Sequence, residues 1–155
     1  MGVTQKIAGK EIYLDANIFI YLLEGYDELT PWLTQIFAFI DKGILRAVTS
    51  ELTLAETLVK PLINKNLALQ QIYQSAIQTS PELEVKPISR EILIKAAQLR
   101  ADLNSSTIRL PDAIHIATAQ ATGCKTFLTN DKRLKINFGI EVMLVSEIKT
   151  TTLIA

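Results

Sequence analysis

Four carboxylates stand where secondary structure changes or where the pattern is otherwise apolar. Asp15 directly follows the short apolar run EIYL, and Asp112 sits one residue after Pro111 at the head of LPDAIHIATA. Asp131 follows the run KTFLT, and Glu56 falls inside an apolar stripe one turn after Leu52 and just before Val59. Burying a lone charge is costly, so a carboxylate on a core-facing stripe calls for a reason. Several carboxylates gathered within a few ångströms repel one another, and some would have to take up protons. A divalent cation removes that conflict. Oxygen-only ligands favour Mg²⁺ or Mn²⁺, and the sequence offers no Cys/His set for structural zinc. One such ion lowers the pKa of a bound water, and a second, roughly 4 Å away, stabilises the leaving oxygen of an in-line phosphodiester displacement. That chemistry needs no side-chain nucleophile. Each acid also has a plainer reading: Asp15 as a turn residue, Asp112 as a partner of the helix dipole, Asp131 as a helix cap, Glu56 as a side chain reaching back to water.

The elements that would position these acids are legible in order. Glu11–Leu14 reads as a strand, and Asn17 opens an apolar helical stretch closed by Gly25. Thr30-Pro31 is a cap and first-turn pair for a helix closed by Gly43. Leu45–Thr49 is a second strand. Ser50 caps the next helix, whose apolar face is expected at Leu52, Ala55, Val59 and Ile63. Residues 64–79 predict an amphipathic helix with Leu67, Ile72 and Ala76 on its apolar side. Leu83–Pro87 is a third strand, and Ser89 caps a helix over Arg90–Leu103 with a face of Ile92, Ala96 and Leu99. Asn104–Thr107 is a polar loop. Pro111 suits the first turn of the following helix, Asp112 meets its positive end, and Gly123 ends it. Ala113, Ile114, Ile116, Ala117 and Ala119 make that helix apolar on nearly every side, hence buried. Lys125–Thr129 and Glu141–Val145 complete the strands, with a short helical segment at DKRL between them. Met1–Lys10 reads as a loose lead-in and Thr150–Ala155 as a tail that frays. Alternating strands and helices predict an α/β sandwich with a mainly parallel central sheet. In such sheets ligands gather beyond the carboxyl ends of the strands, where the four acids would meet.

Composition bounds the rest. The chain of 155 residues is 48% hydrophobic, which predicts one globular domain with a sizeable core. Sixteen basic residues balance sixteen acidic ones, so no overall field marks a nucleic-acid or membrane binder, while a local basic patch stays open. The single Cys124 excludes an internal disulfide and fits a reducing compartment; it reads as a small buried hydrophobe. No signal peptide is visible, and Ile18–Leu23 is far shorter than the about 20 residues a membrane span needs. These features predict a cytoplasmic protein.

Taken together, IYLDANIFIYLLE, TSELTLAETL, LPDAIHIATA and FLTNDKRL occur in that order over about residues 12–145. The chain thereby resembles the PIN-domain ribonucleases and, within them, the VapC-type toxins of bacterial toxin–antitoxin pairs. The resemblance implies a three-layer α/β/α PIN-like domain over 1–155, with a core of about 11–145. It implies a Mg²⁺- or Mn²⁺-dependent endoribonuclease, usually a homodimer, inhibited by a small antitoxin. The family's metal-binding, catalytic acids carry over onto Asp15, Glu56, Asp112 and Asp131. The family's small polar residue two places after the first Asp is Asn17, which would hold a metal-bound water or the scissile phosphate, or else cap the first helix. A PIN domain that processes RNA without being a toxin is a second implied role.

Further residues have two readings each. His115, one turn after Asp112 on the same face, could orient that carboxylate, although a satisfied core histidine is the commoner case. Thr129 could touch a phosphate or cap the turn. Lys132, Arg133 and Lys135 beside Asp131, and Arg109 before Pro111, could attract RNA phosphates or lie on a solvated surface. Trp32, Phe37, Phe39 and Tyr21 could line a dimer or antitoxin groove, with core packing as the default. Three other classes compete. A haloacid dehalogenase-like phosphatase would use Asp15 as nucleophile but wants an Asp where Asn17 stands. A receiver-like phosphoacceptor wants paired acids near the first strand. A catalytically silent binding domain would have no use for the four acids.

Overall fold

The computed structural model describes residues 11–25, 28–103 and 108–148. The lead-in at Met1–Lys10, the loop at Asn104–Thr107 and the tail at Thr150–Ala155 lie outside the described residues. Five strands form one sheet in the order β3-β2-β1-β4-β5. They are β1 (Glu11–Leu14), β2 (Arg46–Ser50), β3 (Leu83–Lys86), β4 (Thr126–Thr129) and β5 (Glu141–Leu144). Every pairing is parallel, so the sheet is wholly rather than mainly so. The helices are α1 (Ala16–Glu24), α2 (Thr30–Asp41), α3 (Glu51–Ile63), α4 (Leu67–Ala76), α5 (Arg90–Leu103), α6 (Leu110–Ala121) and the short α7 (Val145–Ile148). A 3₁₀ turn covers Lys132–Leu134.

The central strands read as continuous apolar runs because both faces of the sheet are covered. Ile12, Leu14, Ala47, Val85 and Leu128 face a layer carrying Leu33, Ile36 and Phe39 of α2 and Tyr73 of α4. Tyr13, Val48, Phe127, Val142 and Leu144 face the other layer, with Ile92 and Ala96 of α5 and the small residues of α6. The result is the three-layer α/β/α sandwich.

Two helices bury different faces from those expected. Along α3, Val59 and Ile63 are 55% and 73% exposed, and Ala55 is exposed too. The buried side is Thr53, Thr57 and Pro61, with Leu54 and Leu58 packed against the core. The helix carries two apolar stripes, and periodicity alone does not choose between them. Local bonding lets the threonines be the buried ones: Thr53 and Thr49 hydroxyls lie 2.8 Å apart, and Thr57 donates to Leu54 O at 3.1 Å. In α4, Leu67 and Ile72 are exposed while Gln70 and Tyr73 are buried, because Gln70 donates to Pro61 O and the Tyr73 hydroxyl to Glu24. That helix stops at Ala76 rather than Thr79.

Strand order creates the site's location. From β1 the chain moves through β2 to β3, then crosses back to β4 and out to β5. β1 and β4 are adjacent, yet the connections leaving them run to opposite sides, which opens a crevice beyond their carboxyl ends. α6 leads into β4 and therefore presents its N-terminus at the same edge. α3 begins at that edge too, directly after β2.

Candidate active site

Asp15 is the first residue past β1, and its backbone N–H still donates to Leu128 O of β4 at 3.0 Å. It is the N-cap of α1: its Oδ1 accepts from Ala16 N at 2.9 Å. Asn17 is therefore a residue of the helix and not its cap. The other oxygen, Oδ2, accepts from the Thr129 hydroxyl at 2.7 Å and from Asn17 Nδ2 at 3.4 Å. Thr129 Oγ1 in turn accepts from Asn17 Nδ2 at 3.2 Å and from Asp131 N at 3.1 Å, while Asn17 Oδ1 accepts from Asn130 N at 3.3 Å. Asn17 and Thr129 thus lock the end of β1 to the turn after β4. Burial pushes the Asp15 carboxyl above the usual carboxylate range, against the opposing pull of His115, the Thr129 hydroxyl and Ala16 N–H.

His115 lies on the buried stretch of α6 and is 1% exposed. Its Nε2 is 2.5 Å from Glu56 Oε1 and 3.8 Å from Asp15 Oδ1, and its Nδ1 is 2.6 Å from the Tyr13 hydroxyl. The commoner reading of a satisfied core histidine fits this burial and bonding, whereas the alternative partner was Asp112. The structure gives Glu56 instead, because the α6 face that carries His115 looks across the sheet edge to α3. Burial depresses the imidazole's basicity, but the Glu56 hydrogen bond and the neighbouring charges of Asp15, Glu56 and Asp112 outweigh it, and the net shift is upward. Glu56 is itself exposed, yet its Oε1 reaches the buried imidazole.

The second acidic pair is separate. Asp112, near the start of α6, accepts from Arg109 N at 3.0 Å and so caps its own helix. Asp131 caps the 3₁₀ turn by accepting from Arg133 N at 3.0 Å. The Arg133 guanidinium binds both Asp131 oxygens, with Nε at 3.0 and 3.1 Å, and its Nη2 lies 3.6 Å from Asp112 Oδ2. This guanidinium holds the Asp131 carboxyl below its ordinary range. The plainer reading of Asp131 as a cap is thus realised, and Asp15 and Asp112, expected as a turn residue and a dipole partner, are caps as well.

The neighbouring cations divide. Lys132 is exposed, and Lys135 turns away to Val142 O and Glu147, both at 2.8 Å. Cys124 is buried, and burial lifts its thiol to about 11, as befits a small core residue. Trp32, Phe37 and Tyr21 are half-buried against the α2 side of the core, and Phe39 is buried within it. Tyr13 was missed as a site residue from sequence. The signal was its place in β1, one position from Leu14 on the opposite face, which aims it at α6.

The donor chemistry of the crevice fits a hard divalent cation: the acids are all carboxylates, and one of them is buried with its charged form disfavoured. Their present placement divides them between the His115 imidazole and the Arg133 guanidinium. Among the described residues, no three of His, Cys, Asp and Glu converge closely enough to hold an ion.

Residues 12–137 match the model of the PIN domain family. No curated protein sequence matches the chain. Solved structures with a similar fold include a toxin–antitoxin complex from Klebsiella pneumoniae (23% identity, 86% of this chain and 97% of that one, TM-score 0.64). VapBC2 from Rickettsia felis, bound to a DNA fragment from its promoter, aligns at 18% identity over 86% of this chain and 98% of that one, with TM-score 0.65. VapC20 from Mycobacterium tuberculosis, a toxin that cleaves the sarcin–ricin loop, aligns at 16% identity over 75% and 86%, with TM-score 0.62.

Proposed function

This chain belongs to the PIN domain family, and we propose that it is a metal-dependent endoribonuclease, the toxin of a toxin–antitoxin pair. The observation that supports the proposal is the sheet edge at the carboxyl ends of β1 and β4, where Asp15 and Glu56 meet at His115 and Asp112 and Asp131 meet at Arg133. Asp15, Asp112 and Asp131, with Glu56, are the residues that would hold Mg²⁺ or Mn²⁺. When bound, the ion supplies Lewis-acid activation of water and stabilises the leaving oxygen of the phosphodiester. The protein's own groups do the positioning. Thr129 and Asn17 fix the Asp15 carboxylate, and Asn17 would meet the scissile phosphate or its water. His115, braced by Tyr13, orients Glu56. Lys132 and Arg109 flank the crevice as phosphate contacts that add affinity without sequence choice.

Three further features belong to this reading. The domain is a single PIN-like unit over 1–155, with a core of about 11–145. A small antitoxin is its partner, as in the toxin–antitoxin complexes of similar fold. It works in the cytoplasm as a homodimer; the exposed apolar side chains Val59, Leu62, Ile63 and Leu67 on α3 and α4 offer a face to be covered, and no described helix is long and apolar enough to cross a membrane.

The test is cleavage of a mixed cellular RNA pool by antitoxin-free protein with Mg²⁺ or Mn²⁺, beside EDTA and Asp112→Asn controls. Discrete products lost in both controls support the reading. Intact RNA with either ion overturns it and favours a silent binding domain.

A further inference from the structure

Arg133 ties together two acids from different elements. Its Nε lies 3.0 and 3.1 Å from the two oxygens of Asp131, and its Nη2 lies 2.5 Å from Asp131 Oδ2 and 3.6 Å from Asp112 Oδ2. A contact with Asp131 alone would be a local pair within one turn. The reach to Asp112, on the N-terminus of α6, is not local, and its electrostatic influence extends to the buried Asp15. A divalent ion needs these same oxygens at about 2.0–2.1 Å if it is Mg²⁺. A guanidinium on the same lone pairs competes for them and repels the ion. Arg133 is also within reach of solvent: its side chain is 39% exposed and stands on a three-residue 3₁₀ turn at the rim of the crevice.

Resting on the nuclease reading above, we infer that Arg133 exchanges partners: it neutralises Asp112 and Asp131 until a divalent cation takes them, and its released guanidinium then binds an RNA phosphate at the crevice. The planar fork that grips a carboxylate through two nitrogens grips a phosphate in the same way. The exchange solves an electrostatic problem of the fold. With sixteen charges of each sign the chain has no net field to draw RNA, and an uncompensated acidic crevice would repel it. Exchange lets one cation serve the acids first and the substrate second, and it makes metal and RNA binding mutually favourable, since coupling between two sites is reciprocal.

The test uses full-length, antitoxin-free protein and its Arg133→Gln and Arg133→Lys variants, each checked for unchanged thermal unfolding. Mn²⁺ affinity is read by calorimetry. Binding of a fluorescently labelled, mixed-sequence single-stranded RNA is read by anisotropy at fixed ionic strength, in EDTA and in Ca²⁺, with the RNA shown intact on a gel. Removing a competing, partly exposed ion pair should tighten Mn²⁺ about three- to fivefold in Arg133→Gln. Ca²⁺ should strengthen RNA binding by the wild type, and Arg133→Gln should lose that gain. Arg133→Lys, a point charge without the fork, should fall between the two in both measurements. Equal Mn²⁺ affinity in wild type and Arg133→Gln overturns the exchange and leaves the nuclease reading standing. A retained Ca²⁺-dependent gain in RNA binding by Arg133→Gln overturns it as well. Failure of all three proteins to take up Mn²⁺ overturns the nuclease reading, and the exchange with it.

Discussion

Replacing Thr129 by Val tests whether the crevice is held together as the hydrogen bonds indicate. The two side chains have nearly the same shape, and the position is fully buried at the end of β4, so packing is conserved. Only the hydroxyl is lost. It donates to Asp15 Oδ2 at 2.7 Å and accepts from Asp131 N at 3.1 Å and Asn17 Nδ2 at 3.2 Å. The bond to a charged carboxylate contributes about 1.5–3 kcal/mol, and an amide stranded by its loss costs about 1–3 kcal/mol, nearer the lower figure here because water reaches Asp131. Valine's better strand propensity returns at most about 1 kcal/mol. The net destabilisation is about 2–4 kcal/mol, which for a chain of this length lowers Tm by roughly 5–15 °C. The deficit also has a pH signature. Asp15 already binds its proton more tightly than an ordinary carboxylate, and the Thr129 bond opposes that shift. Without it the folded-state pKa rises further, so the deficit grows as pH rises through the interval between the two folded values and is smallest in acid. Denaturant titrations in EDTA across acidic and neutral pH measure both effects, with Thr129→Ser as the rescue. A Thr129→Val protein within about 0.5 kcal/mol of wild type at neutral pH would refute the argument that this hydroxyl braces Asp15.

The imidazole of His115 has its folded pKa raised by Glu56 and its acidic neighbours despite burial, so its contribution to stability is complete below about pH 6.5 and is lost as pH rises through the folded value. Metal-free protein should therefore lose stability above that pH relative to His115→Gln, and parallel pH profiles by chemical denaturation would contradict the assignment. Cys124, with its thiol lifted to about 11, should be alkylated at mildly alkaline pH about a hundredfold more slowly in the native state than after unfolding, in proportion to its smaller thiolate fraction; rapid native labelling would count against its burial. Ile63→Ser on the exposed side of α3 should change stability by less than about 0.5 kcal/mol, whereas Leu33→Ala, at a fully buried position, should cost about 2–5 kcal/mol. Reversed magnitudes in urea titrations would show that the α3 stripe faces the core after all.

The contrast between those last two positions marks where sequence patterning stops being informative. The strands and α5 were legible because their signals are local: apolar runs of four residues bounded by turns, and Ser89, whose hydroxyl accepts from Ile92 N, fixing the start of the helix. That the acids would stand at one edge of the sheet was legible for a topological reason, since in a parallel sheet every strand end and every following helix start shares one edge. Which acid pairs with which cation was not. The spacing of Asp112 and His115 shows that both lie on one side of α6, but it does not say that α3 is the helix opposite. It offered Asp112 as the alternative to a satisfied core histidine, while the fold gives His115 to Glu56 and gives Asp112 to Arg133. The same limit explains α3 itself, where two apolar stripes are both helical in period and only the packing partner decides which is buried. What the pairing adds is an electrostatic logic absent from any list of acids. Asp15 and Glu56 share a buried imidazole, and Asp112 and Asp131 share a partly exposed guanidinium. The first counter-charge is fixed by Tyr13 and the core, so it can only orient. The second is the more exposed of the two, and that asymmetry is why the proposed exchange of ligands is assigned to the Asp112–Asp131 side of the crevice.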